Sequence, residues 1–163
     1  MLHLSILTIS DKCSRDERED YSGFTLKKLI AEKGWHCLYY EIIPDDLDTI
    51  INKLETLSLR KDCDIIITTG GTGLSSRDVT PEATSAVIKK ELPGIPELLR
   101  AKSYEYTHNA VLSRAVAGIS SNTLIINFPG SPKACHECFE IVSDIFEHAV
   151  AVLNNNIDKC GRT

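Results

Sequence analysis

Residues 63–83 constrain the fold more than any other stretch of this chain. Cys63 to Thr69 (C-D-I-I-I-T-T) is a short apolar, β-branched run that reads as a buried strand. It opens into Gly70-Gly71-Thr72-Gly73, where the glycines allow a tight turn and leave backbone N–H groups open to an anion. Thr80-Pro81 then reads as a helix N-cap followed by proline at the first helical position. A helix N-terminus with its partial positive charge therefore points back at the loop. Arg77 and Asp78 lie between, one group for phosphate and one for a metal. Glycine loops often serve only a turn, and this one has neither the Gly-Lys-Ser/Thr of a Walker A loop nor the G-x-G-x-x-G of dinucleotide folds. Strand, loop, charged pair and helix start together describe a place to hold a phosphorylated ligand.

The rest of the chain alternates in the same way. His3 to Ser10 reads as a strand, and Ser22 to Lys33 as a helix with Gly34 as its C-cap. Cys37 to Ile43 reads as a second strand. Asp46 to Ser58 carries Leu47, Ile50, Ile51, Leu54 and Leu57 at helical spacing. Helices are expected from Pro81 to about Glu91, from Pro96 to Tyr106 and from Pro132 to Leu153, with short strands at Ala115 to Ile119 and Thr123 to Phe128 turning at Ser120-Ser121-Asn122. This order predicts an α/β fold, a three-layer α/β/α sandwich whose sheet is mostly parallel with one local hairpin.

At 163 residues the chain fits one domain over 1–153 followed by a polar tail, Asn154 to Thr163, expected to fray. A net charge of -5, with no block of lysine or arginine, offers nucleic acid no general attraction. Met1 to Ser10 lacks a basic leader and runs into Asp11, so it reads as a strand and not as a signal peptide or membrane span. Six cysteines without a secretion signal point to free thiols in a reducing cytoplasm. Cys135-His136-Glu137-Cys138 resembles half a metal site, but it lies in an expected helix with no second pair to face it.

Ligands of open α/β sheets bind beyond the carboxyl ends of the strands. Ser10-Asp11, Asp45-Asp46, Gly70 to Asp78, and Asn127 to Ser131 all follow strands, which describes a single cleft. Asp45 and Asp78 are the candidate catalytic pair. Mg²⁺ favours a few carboxylates together with phosphate oxygens, and two carboxylates beside a phosphate loop offer that arrangement. Asp46 reads equally well as a helix cap. Ser10 and Asp11 either cap the first loop or reach a nucleotide. Ser22-Gly23 reads as the N-cap of the first helix. Arg114 binds a substrate phosphate or pairs with an acidic residue. Pro129-Gly130-Ser131-Pro132 sets N–H groups at a helix start, a second possible anion site, with Lys133 either helping or simply exposed. Tyr39, Tyr40 and Trp35 read as packing residues, and His108 and His136 have no partner pattern for catalysis.

Taken whole, T-T-G-G-T-G-x-x-x-R-D-V-T-P-E-A resembles the signature of the molybdopterin-binding (Mog/MoaB) family. Ile9-Ser10-Asp11, Asp20-Tyr21-Ser22-Gly23, Ile43-Pro44-Asp45, Leu112 to Gly118 and Leu124 to Pro132 extend the likeness over roughly residues 4 to 153. The resemblance implies one antiparallel strand near a sheet edge. It also implies transfer of AMP from Mg·ATP to the terminal phosphate of molybdopterin, with release of pyrophosphate. Asp45 and Asp78 match its catalytic positions, and both would hold Mg²⁺. Ser10, Asp11, Gly70, Gly71, Thr72, Gly73 and Arg77 would hold ATP. Ser103, Ser113, Arg114, Asn127, Pro129, Gly130 and Ser131 would hold the pterin, although a serine on a polar helix face is ordinarily solvated and Asn127 could simply satisfy loop backbone. The family further implies a homotrimer and a downstream molybdenum-insertion protein. Lys12 stands where the family commonly has arginine, so the bidentate fork is lost there. A binding-only carrier is the alternative, and Asp45 with Asp78 argues against it.

Overall fold

A computed structural model describes residues 1–155, so residues 156–163 of the polar tail lie outside the described part. The central strands are β-branched runs, and their alternation divides the core. In β1 (His3–Ile9), Leu4 and Ile6 face one layer, while Leu7 and Ile9 face the other. In β3 (Ile65–Thr69), Ile65 and Ile67 oppose Ile66, and in β6 (Thr123–Phe128), Leu124, Ile126 and Phe128 oppose Ile125. Strands buried on both faces read as near-continuous apolar runs, as these do.

Among the described residues the sheet has six strands in the order β2-β1-β3-β6-β5-β4, with β2 at His36–Ile43, β4 at Lys90–Glu91 and β5 at Ala117–Ser120. β2, β1, β3 and β6 run parallel. β5 is antiparallel to both its neighbours and is therefore the one reversed strand. The helices α2 (Tyr21–Glu32), α5 (Gly94–Tyr104), α6 (Pro132–Val142) and α7 (Phe146–Leu153) cover one face, and α3 (Leu47–Ser58) and α4 (Thr80–Val87) cover the other. The expected three-layer sandwich is present. A four-residue helix, α1 (Asp11–Ser14), follows β1.

Three expectations are corrected. The helix starting near Pro81 stops at Val87 and not at Glu91, because Lys89 N–H donates to Ile119 O at 2.7 Å and Leu92 N–H to Ala117 O at 2.9 Å, which makes β4 an edge strand. The last helix does not run unbroken from Pro132 to Leu153: a 3₁₀ turn at Ser143–Ile145 separates α6 from α7. Residues seven apart in a straight helix lie about 10 Å apart along its axis. The break instead brings the Phe139 and Phe146 rings to 6.0 Å, edge to face, both beside Trp35. Finally, α2 is capped by Asp20, whose Oδ1 accepts from Gly23 N–H at 2.9 Å, and not by Ser22-Gly23.

Candidate functional site

The glycine loop that follows β3 is a wall between two cavities. Gly70 and Gly71 have φ of +102° and +64°, values open to glycine. A Cβ at Gly70 would lie 2.3 Å from Ile9 O, and one at Gly71 would lie 2.2 Å from Thr80 Oγ1 and 3.2 Å from Asp45 Oδ1. Gly70 also sits against Gly130, where an added Cβ would be 3.3 Å from Gly70 Cα. Gly70 N–H donates to Phe128 O at 3.2 Å, so the amides available to an anion begin with Gly71.

The first cavity, of about 450 Å³, is lined by Ser10, Asp45, Gly70, Gly71, Asp78, Gly130 and Ser131 among others. It unites most of the residues expected to act on phosphate. Asp11 and Asp45 bind each other reciprocally: Asp11 N–H donates to Asp45 Oδ2 at 2.9 Å and Asp45 N–H to Asp11 Oδ1 at 3.1 Å. Burial, with the like charges of Asp11 and Asp78 adding to it, raises the pKa of Asp45 even though the Asp11 amide opposes the shift. The Arg77 guanidinium, 2.5 Å from Asp11 Oδ2, holds the Asp11 carboxyl below its usual range. Arg77 is thus seated on Asp11, and a phosphate would compete for it. Ser10 caps α1 by accepting from Cys13 N–H at 3.2 Å while still facing the cavity.

The second cavity, of about 470 Å³, lies across the loop, with Thr72, Gly73, Ser103, Ser113 and Pro129 in its wall beside Leu74, Ala110 and Leu112. The Pro129–Pro132 segment is therefore shared: Pro129 faces the second cavity, and Gly130, Ser131 and Pro132 face the first. Ser131 caps α6 by accepting from Ala134 N–H at 3.2 Å.

Two expected ligand residues have their polar atoms bonded within the protein, although Asn127 also lines a small pocket with Ser103, Ser113 and Pro129. Asn127 shares its strand face with Ile125 and points toward α4. Its Nδ2 donates to Thr68 Oγ1 and Thr84 Oγ1, both at 2.9 Å, and its Oδ1 accepts from Val116 N–H at 3.2 Å. Arg114 clamps the loop itself. Its Nε donates to Gly73 O at 2.7 Å, Nη2 donates to Asp78 O at 2.6 Å, and Nη1 pairs with Glu82. Arg114 N–H adds a bond to Thr72 O at 3.0 Å.

Thr80 is the first residue of α4 and not its cap. Val79 holds the cap position without a side-chain bond. The Thr80 hydroxyl is fully buried beneath Gly71 and has no hydrogen-bond partner among the described residues.

Among the lining residues to which sequence reading gave no ligand role, Asp20 and Arg18 stand out. Asp20 is buried and receives Thr8 Oγ1 at 2.5 Å and Tyr40 OH at 2.7 Å; burial, then that hydrogen bond, raises the Tyr40 pKa. Arg18 lines the cavity mouth with Nη2 3.5 Å from Ser10 Oγ. Arg18 lies in the charged run Asp16 to Asp20, which carries no signal beyond a solvated loop, whereas Asp20 opens the Asp20-Tyr21-Ser22-Gly23 stretch that shares in the family likeness. Cys135 and Cys138 are buried in the core and have thiol pKa values pushed up by burial to about 11 and about 12. Among the described residues no cluster of three metal-binding side chains exists, and the five cysteines are free.

A family model described as a probable molybdopterin binding domain matches residues 5–148. The chain belongs to that family. A molybdopterin adenylyltransferase from Helicobacter pylori is 41% identical over 157 residues, covering 95% of this molybdopterin-binding chain and 89% of the relative. Molybdenum cofactor biosynthesis protein B from Staphylococcus epidermidis is 40% identical over 162 residues, with 96% and 91% covered. The crystal structure of the molybdopterin biosynthesis enzyme MoaB from Thermus thermophilus superposes with a TM-score of 0.89 at 40% identity, covering 95% of this chain and 98% of that one.

Proposed function

We propose that this protein is a molybdopterin adenylyltransferase, acting as one molybdopterin-binding domain over residues 1–153. It transfers AMP from ATP to the terminal phosphate of molybdopterin and releases pyrophosphate. The carrying observation is the glycine loop held between a cavity lined by Asp45 and Asp78 and a mainly apolar one lined by Ser103 and Ser113, which gives two ligands a common wall. The names of the relatives at 36–41% identity support the reading.

Magnesium fits the first cavity on its chemistry. Asp45 and Asp78 present hard oxygen donors, and a bound dication would offset the burial of Asp45, the main cause of its raised pKa, together with the like charges of Asp11 and Asp78. When bound, Mg²⁺ would neutralise phosphate charge. The protein's own residues do the rest. Asp45 and Asp78 hold the charge centre, and the amides from Gly71 onward meet phosphate oxygens. Arg114 keeps those amides in place, which is preorganisation at no cost during the reaction. Ser103 and Ser113 offer hydroxyls to a pterin while Leu74, Leu112 and Pro129 exclude water. The attacking phosphate is already an anion, so positioning suffices and no general base is required.

The proposal extends to a cytoplasmic homotrimer that passes its product to a molybdenum-insertion protein. Support for self-association comes from the exposed apolar side chains Leu98 and Tyr104 on α5, Tyr106 just after it, and Val111 and Leu112 in the 3₁₀ turn His108–Leu112 that follows. Among the described residues no helix is long and apolar enough to cross a membrane. Pyrophosphate release from ATP that requires both molybdopterin and Mg²⁺ tests the central reading. Tight pterin binding without release would make the protein a carrier.

A further inference from the structure

The arginines of the described chain are nearly all spoken for. Arg15 pairs with Glu17, Arg60 with Asp62, Arg77 with Asp11 and Arg114 with Glu82, and Arg100 donates to the carbonyls of Ser113 and Ala115. Arg18 differs. Among the described residues it has neither a carboxylate nor a carbonyl partner, and its contact is the long one to Ser10 Oγ, on the rim of the first cavity. Lys12, the cation nearer the strand end in sequence, is exposed and lines none of the cavities described above.

We infer that Arg18 is the cation that binds a ligand phosphate in the first cavity, a role that rests on the adenylyl-transfer reading. A guanidinium without a carboxylate partner is the group that can turn to an incoming phosphate with no ion pair to break, whereas Arg77 must first leave Asp11. The local balance requires such a group. Asp20, Asp45, Asp78 and Glu19 all line this cavity, so a polyanion entering it meets like charge unless a cation stands at the mouth. Arginine also offers a planar fork that matches two phosphate oxygens. Its position on an exposed loop beside Ser10 lets it close on the ligand without disturbing the core, and Ser10, which already faces the cavity, steadies it from below.

The experiment titrates wild type, Arg18→Ala and Arg18→Lys with Mg·ATP, Mg·pyrophosphate, adenosine and molybdopterin, each separately, with thermal unfolding as the check on folding. Arg18→Ala should keep its unfolding temperature, leave adenosine binding unchanged, and lose roughly tenfold to a hundredfold in affinity for the phosphorylated ligand. Arg18→Lys should recover part of that loss. A loss for ATP and pyrophosphate assigns Arg18 to the nucleotide, and one confined to molybdopterin assigns it to the pterin phosphate. Equal affinities in wild type and Arg18→Ala for every phosphorylated ligand would overturn the inference while leaving adenylyl transfer intact. Conversely, Arg18-dependent pyrophosphate binding in a protein that does not turn over ATP would keep the phosphate site and remove the enzymatic reading.

Discussion

The two cavities flanking the glycine loop are similar in volume, but the first gathers several charged groups and the second is mainly apolar. On the β1 side, Asp20, Asp45, Asp78 and Arg18 surround a space in which charge must be balanced. On the α5 side, Leu74, Ala110, Leu112 and Pro129 form a mainly apolar wall interrupted by Ser103, Thr107, Asn109 and Ser113, with Glu137 the single carboxylate among the described residues that line it. The first chamber is suited to neutralising phosphate, the second to accepting a flat, hydrogen-bonding ring. A single loop serves both because its two ends do different work: Gly70 and Gly71 face the charged chamber, and Thr72 and Gly73 face the apolar one.

Substitutions on either side of the wall, and in it, should separate cleanly. The largest effect belongs to the charged chamber: Asp45→Asn or Asp78→Asn should slow pyrophosphate release by ~10²-fold or more, as when a preorganised electrostatic contact is removed. Pterin affinity, measured by titration, should hardly move. Wild-type rates in both variants would dissolve the distinction. Changing the wall itself should damage both chambers. Gly71→Ala places a Cβ against Thr80 and forces a left-handed conformation, costing about 1–2 kcal/mol in backbone strain alone. Affinity for ATP and for molybdopterin should fall together, and a loss limited to one would show that the chambers are walled independently.

On the apolar side, Ser113→Ala should weaken molybdopterin by roughly 0.5–1.5 kcal/mol and leave ATP alone. Asn127→Leu provides the contrast, since its amide is bonded to Thr68, Thr84 and Val116, although the residue also lines a small pocket with Ser103, Ser113 and Pro129. It should lower folding stability by about 1–3 kcal/mol, read from denaturant unfolding, with a smaller effect on ligands.

The smallest effect is a titration. The Asp45 carboxyl lies above the usual 3.8, so turnover should fail on acidification at a higher pH than an ordinary carboxylate would give. Replacing Asp78 by Asn removes one repelling charge and should lower the Asp45 pKa, observable by carboxyl NMR. In stability terms the raised Asp45 favours the folded state most below its unfolded value, and that advantage is lost as pH rises through its folded pKa. Asp11, lowered by Arg77, contributes above 3.8 and loses its contribution as pH falls through its folded pKa.

The strands and the loop were legible because β-branched runs and glycines act locally. The ends of α4 and α6 were not, since no glycine or proline marks Val87 or Val142 and the cause is distant: pairing of residues 89–92 with β5, and the meeting of Phe139, Phe146 and Trp35. Asp45 and Asp78 could be found from their strand ends. The loop clamp of Arg114 could not, because its partners are 32 to 41 residues away in sequence. The direction of the Asn127 side chain is also legible. Asn127 shares parity with Ile125, and alternation alone puts its side chain on the α4 face.

The contact between Gly70 and Gly130 bears on how this sequence can change over time. The closure is one-sided: a Cβ at Gly70 would meet the Ile9 carbonyl oxygen at 2.3 Å with φ held at +102°, whereas one at Gly130 would lie 3.3 Å from Gly70 Cα. A small side chain at 130 therefore needs a shift of only a few tenths of an ångström, while position 70 refuses one whatever stands opposite. A combined substitution series is expected to show position 130 drifting to alanine in some descendants and position 70 remaining fixed, with no relief of the second by the first.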